Sequence, residues 1–163
     1  MSEQRPRTVP WIERIAHWVP GYGGYLERGN RRAADQALRE VVSKRLVDAK
    51  SGLEAAVRDL VDRGRLDAIA PVERIERRLN LLAERVRSAG AGNSDFYSSG
   101  WLDPAKAESV HSFDFHLLEQ ADVILEHTKR GESGGDWLAH LEQHLAEFER
   151  RLDERTKILE GIR

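Results

Sequence analysis

Glu108 and His111 stand three residues apart, and Asp114 follows at the same interval, which places all three along one face of a helix. Carboxylate and imidazole side chains in that pattern can hold iron or manganese. Ferritin-like bundles use a Glu-x-x-His pair on each of two helices for this purpose. Here the pair occurs once, as Glu108-Ser-Val-His111. Other acid and imidazole spacings are Glu13 with His17, Asp136 with His140, His140 with His144, and Glu119 with Asp122. In a chain with 28 acids and 6 histidines such spacings arise by chance. The expectation is therefore no cofactor, with an iron or manganese site at Glu108, His111 and Asp114 as the alternative.

Asp114 also interrupts an apolar stripe. A charged carboxylate buried there without a partner costs several kcal/mol, so a counter-charge is expected, with Arg39 or Arg45 as the candidates. Other chemistry finds little footing. The chain has no cysteine, which removes disulfides, thiolate nucleophiles and Cys-ligated metals. It also contains no nucleophile elbow, no phosphate-binding G-x-x-x-x-G-K-[ST] loop, and no G-x-G-x-x-G after a strand. This reading leans away from an enzyme and identifies no small-molecule substrate.

A second constellation spans residues 10–32, PWIERIAHWVPGYGGYLERGNRR. Trp11, Ile15, Trp18, Tyr22 and Tyr25 lie within fifteen residues, and Arg28, Arg31 and Arg32 follow. Aromatic and arginine side chains supply most of the binding energy at protein interfaces, so these eight residues are the candidate partner-binding set. The expected partner is protein, a second copy of the chain first of all. A membrane surface is the alternative, because Trp and Tyr favour the headgroup zone and arginines favour anionic lipid. Nucleic acid is disfavoured, since acids interleave both arginine clusters and the pI is about 6.3. The structural alternative is that the same aromatics cap the end of a helical core.

Heptad-patterned helices must position these groups. Leu38, Val42, Leu46, Ala49, Leu53, Ala56 and Leu60 step by fours and threes, predicting a helix over about 30–62 with a bend at Ser51-Gly52. Arg63-Gly64-Arg65 stops it. A connector over 66–70 leads to a second helix opened near Pro71 and marked by Ile75, Leu79, Leu82 and Val86. SAGAGNS and a linker through DFYSSGWLD follow, and Asp103-Pro104 starts a third helix with Val110, Asp114, Leu117, Ala121 and Ile124 on one stripe. After GESGG the fourth helix carries Leu138, Leu141, Leu145, Phe148, Leu152 and Leu159, with Arg155 the one polar residue in the seam. Pro20 and GYGGY predict a tight turn after a short amphipathic helix over 10–19.

The fold expected is all-α: an up-and-down four-helix bundle of long heptad-patterned helices with a short N-terminal amphipathic helix. Residues 1–29 form the aromatic element and residues 30–163 a single bundle domain. Composition agrees, with 33% charged and 40% hydrophobic residues. The net charge of -2 conceals a division: residues 1–90 hold 18 Lys or Arg against 13 acids, and residues 91–163 hold 8 against 15. The balances are +5 and −7, which points to attraction between the halves or to a basic face turned toward a partner. No export signal or membrane span is read in the sequence, so a cytoplasmic location is expected.

The segment GYGGYLERGNRRAADQALRE resembles the start of a loose group of uncharacterised prokaryotic helical proteins, in which a Gly-Tyr turn precedes an Arg-Arg-x-x-Asp helix. The resemblance covers these 20 residues and touches the DFYSSGWLD linker. It implies a shared N-terminal element, and no activity, ligand or catalytic residue.

The leading expectation is a non-enzymatic interaction or scaffold protein that self-assembles or docks a partner through its aromatic N-terminal element.

Overall fold

Apolar residues at three- and four-residue steps fold into helices wherever the computed structural model describes the chain, which is over residues 10–89, 104–131 and 135–161. Helix α1 covers Pro10–Trp18, α2 Tyr22–Glu27, α3 Arg31–Asp62, α4 Ile69–Ser88, α5 Pro104–Arg130 and α6 Gly135–Gly161, with a 3-10 turn at Leu66–Ala68 before α4. No strand occurs among the described residues. None of their helices is long and apolar enough to cross a membrane. The predicted linker after Ala89 lies outside the described residues.

The N-terminal element departs from expectation. Gly21 alone makes the turn, at φ 80°, a left-handed conformation that glycine adopts without steric cost. Residues Tyr22–Glu27 then form a helix rather than a loop, although two of the six are glycines. Each glycine weakens a helix by about 1 kcal/mol relative to alanine. The burial of Tyr22, with Tyr25 and Leu26 packed against the core, opposes that weakness. Asn30 then starts α3, its side-chain oxygen accepting a hydrogen bond from the Ala33 amide at 3.1 Å.

Helix α3 runs for 32 residues, and its entire predicted seam from Leu38 to Leu60 is buried. The bend expected at Ser51-Gly52 is absent as a break: helical structure is continuous there. Gly52 serves contact with a neighbour. A Cβ at this position would fall 2.6 Å from the Thr128 carbonyl oxygen of α5, so glycine permits the two backbones to approach. Pro71 sits in the first turn of α4, where its missing amide proton costs no helical bond.

Pairings between named residues set the helix directions. Arg39 meets Arg87 and Ser43 meets Ala83, so α3 and α4 are antiparallel. Gln120 meets His144 and Asp114 meets Arg155, so α5 and α6 are antiparallel as well. Helix α3 packs on α4 and α5, and α6 packs on α5 and α4. Arg45 pairs with Asp122 across α3 and α5. Arg78 forms a two-pronged pair with Glu149 at 2.8 and 3.0 Å, and Arg85 meets Asp153 at 2.7 Å, both across α4 and α6. All three join an arginine of the basic half to an acid of the acidic half. Their exposure limits each to about 0–1 kcal/mol, so they orient the helices more than they stabilise them.

Helices α1 and α2 lie against α5 and α3. Ile15, Val19 and Tyr22 are 0%, 0% and 2% exposed and belong to the same core as Leu38, Leu117 and Phe148. The N-terminal element and the long helices therefore share one hydrophobic interior.

Candidate functional site

Beneath α2, three helices contribute charges to the core. Asp35 of α3, Asp114 of α5 and Arg155 of α6 are each buried. Arg155 Nε donates to Asp114 at 2.6 Å, and its terminal nitrogen donates to Asp35. Asp35 receives a second guanidinium from Arg39 at 2.7 Å, one helical turn along α3. Two carboxylates thus meet two arginines among the described contacts. Geometry of this kind is required, because the desolvation of each ion costs several kcal/mol unless opposite charge and hydrogen bonds replace water.

Tyr22 covers the cluster from α2, and its hydroxyl lies 2.9 Å from His111 Nδ1. Burial raises the Tyr22 hydroxyl well above its ordinary pKa, with the negative Asp114 adding to the effect. Burial lowers His111, and Arg31 lowers it further. A neutral imidazole nitrogen accepting the phenolic proton fits both directions. Burial also lifts the Asp114 carboxyl to about 6, against the pull of Arg155, with Asp35 adding to the rise. Burial opposes the charge on Arg155, but Asp114 and Asp35 together hold it protonated.

The raised Asp114 value fixes the sign of its pH effect. The native state holds this proton between 3.8 and about 6, where an unfolded aspartate has released it. The resulting stabilisation is fully present below 3.8 and is lost as pH rises through 6. His111 acts oppositely: its stabilisation is present above 6.5 and is lost as pH falls through its lowered native value. In carbon-13 NMR the Asp114 carboxyl should titrate near 6, and Asp114→Asn should remove that resonance's share of the stability slope between pH 4 and 6. A carboxyl that titrates near 3.8 in the folded protein would show the burial argument to be wrong.

Aromatic rings of the same element that pack partly on the long helices also meet cations. Arg14 lies 5.4 Å from the Trp11 ring centre, Arg45 lies 4.4 Å from Trp18, and Arg28 lies 5.5 Å from Tyr25. Trp11 also packs on Phe115 and His116 at 5.4 and 5.5 Å between ring centres. Trp11, Trp18 and Tyr25 are half-buried, and Arg14, Arg28 and Arg32 are exposed. A guanidinium over an aromatic face is worth about 0.5–1 kcal/mol at an exposed site and more once water is excluded.

The predicted residues thus divide. Ile15 and Tyr22 are core, and Tyr22 ends on a buried polar cluster. Trp11, Trp18 and Tyr25 are half-buried, packed partly on the core and on α5, and Arg28 is exposed; Arg31 is half-buried at the start of α3 and Arg32 is exposed beside it. Of the metal-ligand alternative, His111 is engaged by Tyr22 and Asp114 by Arg155, while the Glu108 side chain lies outside the described residues. Among the described residues no three His, Asp or Glu side chains converge as metal ligands. The partner expected for Asp114 is corrected: it is Arg155, because Arg39 is taken up by Asp35 and Arg45 by Asp122 and Trp18.

Sequence reading missed Asp35, which precedes the first seam leucine by three residues, on the same helical face. It also missed Trp137, buried at the start of α6, whose indole nitrogen donates to the His127 carbonyl at 3.0 Å. No family model, curated protein or solved structure matches the chain. The molecule is accordingly defined by its own architecture: an all-α protein with a buried four-residue ion cluster under an aromatic N-terminal element.

Proposed function

We propose that this protein is a non-enzymatic helical interaction or scaffold protein, an up-and-down four-helix bundle whose N-terminal element docks a second copy of the chain. The observation that carries this reading is the row of three half-buried rings, Trp11, Trp18 and Tyr25, each with an arginine set against it. Such side chains are already partly ordered and partly desolvated, so association adds contact area at low entropic cost. The long-range charge division supports a self-complementary contact. A basic edge on one copy faces the acid-rich second half of another, and a two-fold axis repeats the contact in reverse.

The triple variant Arg14→Glu, Arg28→Glu, Arg32→Glu changes only exposed side chains and inverts the charge of that edge. Light scattering at low salt should give a mass above one chain for the natural sequence and the mass of one chain for the variant, whose circular dichroism should stay helical. A natural protein that stays at one chain mass at every concentration would overturn self-assembly. Sedimentation with anionic vesicles, abolished by the same variant, would instead assign the edge to a membrane surface.

A further inference from the structure

We propose that His127, His140 and His144 form a binding site for a borderline divalent transition-metal ion of the zinc, copper(II) or nickel class, tying the end of α5 to the start of α6. His140 and His144 are one helical turn apart and so point from the same face of α6. His127 faces them from α5, with ring centres 6.3 Å from His140 and 5.4 Å from His144. Imidazoles bound to one ion place each ring centre about 3 Å from it, and hence about 5–6 Å from one another. The His127–His144 separation lies in that range, and the His127–His140 separation is slightly longer.

His127 is also held as a metal-bound histidine is held. Its Nε2 lies 2.9 Å from the Trp137 carbonyl oxygen, which can only accept, so Nε2 carries the proton and Nδ1 keeps its lone pair. The Trp137 indole stacks on the ring at an interplanar angle of 13° and returns a hydrogen bond to the His127 carbonyl. The donor set is three imidazoles, which favours borderline transition metals over magnesium or calcium.

The rings as they stand do not converge on one point. Closure requires rotation of His140, which is exposed, and of His144, which is half-buried and whose ring approaches the Gln120 amide at 3.4 Å. Water would complete the coordination.

Titration calorimetry of chelator-treated, tag-free full-length protein with zinc chloride at pH 7.5 tests the site. One ion should bind per chain, the melting temperature should rise, and His127→Gln and His140→Ala should each lower the affinity at least tenfold. Affinity should fall at pH 5.5, where protons occupy the imidazole nitrogens. Absence of one-to-one binding would overturn the proposal. So would unchanged affinity in His127→Gln, which would reduce the site to an adventitious two-histidine pair on α6. If His127→Gln fails to fold through loss of its Trp137 contacts, ring nitrogen-15 shifts in the natural protein decide: all three histidines must respond to zinc, and a silent His127 ring rejects the site.

Discussion

Replacing Arg155 with methionine should destabilise the protein by about 3–5 kcal/mol, the cost of leaving a buried charge without its partner. Arg155 is the only group bonded to both Asp35 and Asp114 among the described contacts, and it is 2% exposed. Methionine fills much of the volume while removing the charge, so the loss reports electrostatics more than packing. Asp35 retains Arg39, whereas Asp114 loses its bond to Arg155; its proton uptake near pH 6 would soften the penalty as pH falls. Urea unfolding followed by circular dichroism at pH 7.5 and pH 5 measures both effects. The triple change Asp35→Asn, Asp114→Leu, Arg155→Met should recover most of the stability, since an apolar replacement of a buried ion cluster is often neutral or better. A single Arg155→Met variant within about 1 kcal/mol of the natural protein would mean that the cluster is solvated or replaceable, contrary to its burial.

Gly52→Ala should also destabilise, by about 1–2 kcal/mol, although alanine is the better helix former. Two effects compete. Alanine gains up to about 1 kcal/mol over glycine inside a helix, and overpacking at a close helix contact costs about 1–3 kcal/mol. Here the added Cβ would meet backbone atoms, the Thr128 carbonyl oxygen at 2.6 Å and its carbon at 2.7 Å, which cannot rotate away as a side chain would. The steric effect wins. Gly23→Ala is the control: nothing lies within 4 Å of its Cβ position, so the helix-propensity gain should stand alone and raise stability by up to about 1 kcal/mol. Thermal melts of the two variants should move in opposite directions. A Gly52→Ala variant that melts above the natural protein would show that α3 and α5 separate without penalty.

Much of this architecture was legible in residue order. The four apolar seams and the stop after Asp62 follow from local rules, because burial of one helical face imposes a three-four spacing on the chain and glycine ends it. The buried cluster was half legible. Asp114 and Arg155 each stand out as a polar residue in an apolar seam, and each supplies what the other lacks. Their pairing could not be read because it depends on which helices are neighbours, a property of packing that no single helix encodes. Gly52 and GYGGY were misread for the same reason: local rules register what glycine costs a helix and see neither the backbone of α5 nor the core waiting for Tyr22. The contact between Trp137 and His127 had a faint signal, since the two residues stand on opposite sides of GESGG at a separation suited to an antiparallel helical hairpin.

The resemblance segment acquires a physical role within this structure. Tyr22 of GYGGY and Asp35 of RRAAD, 13 positions apart in sequence, are both buried, and the Tyr22 hydroxyl feels the charges of Asp114, Arg155 and Asp35.

That cluster also orders events during folding. Asp35 and Arg155 are 120 residues apart, and the ion pair closes only when α6 docks. Until then Asp114 lacks the guanidinium that Arg155 donates to it. Closing a loop of that length is slow relative to forming the α3–α4 and α5–α6 hairpins. A residue of α6 therefore fastens α3 to α5, and Asp114 gains its guanidinium only once α6 is in place.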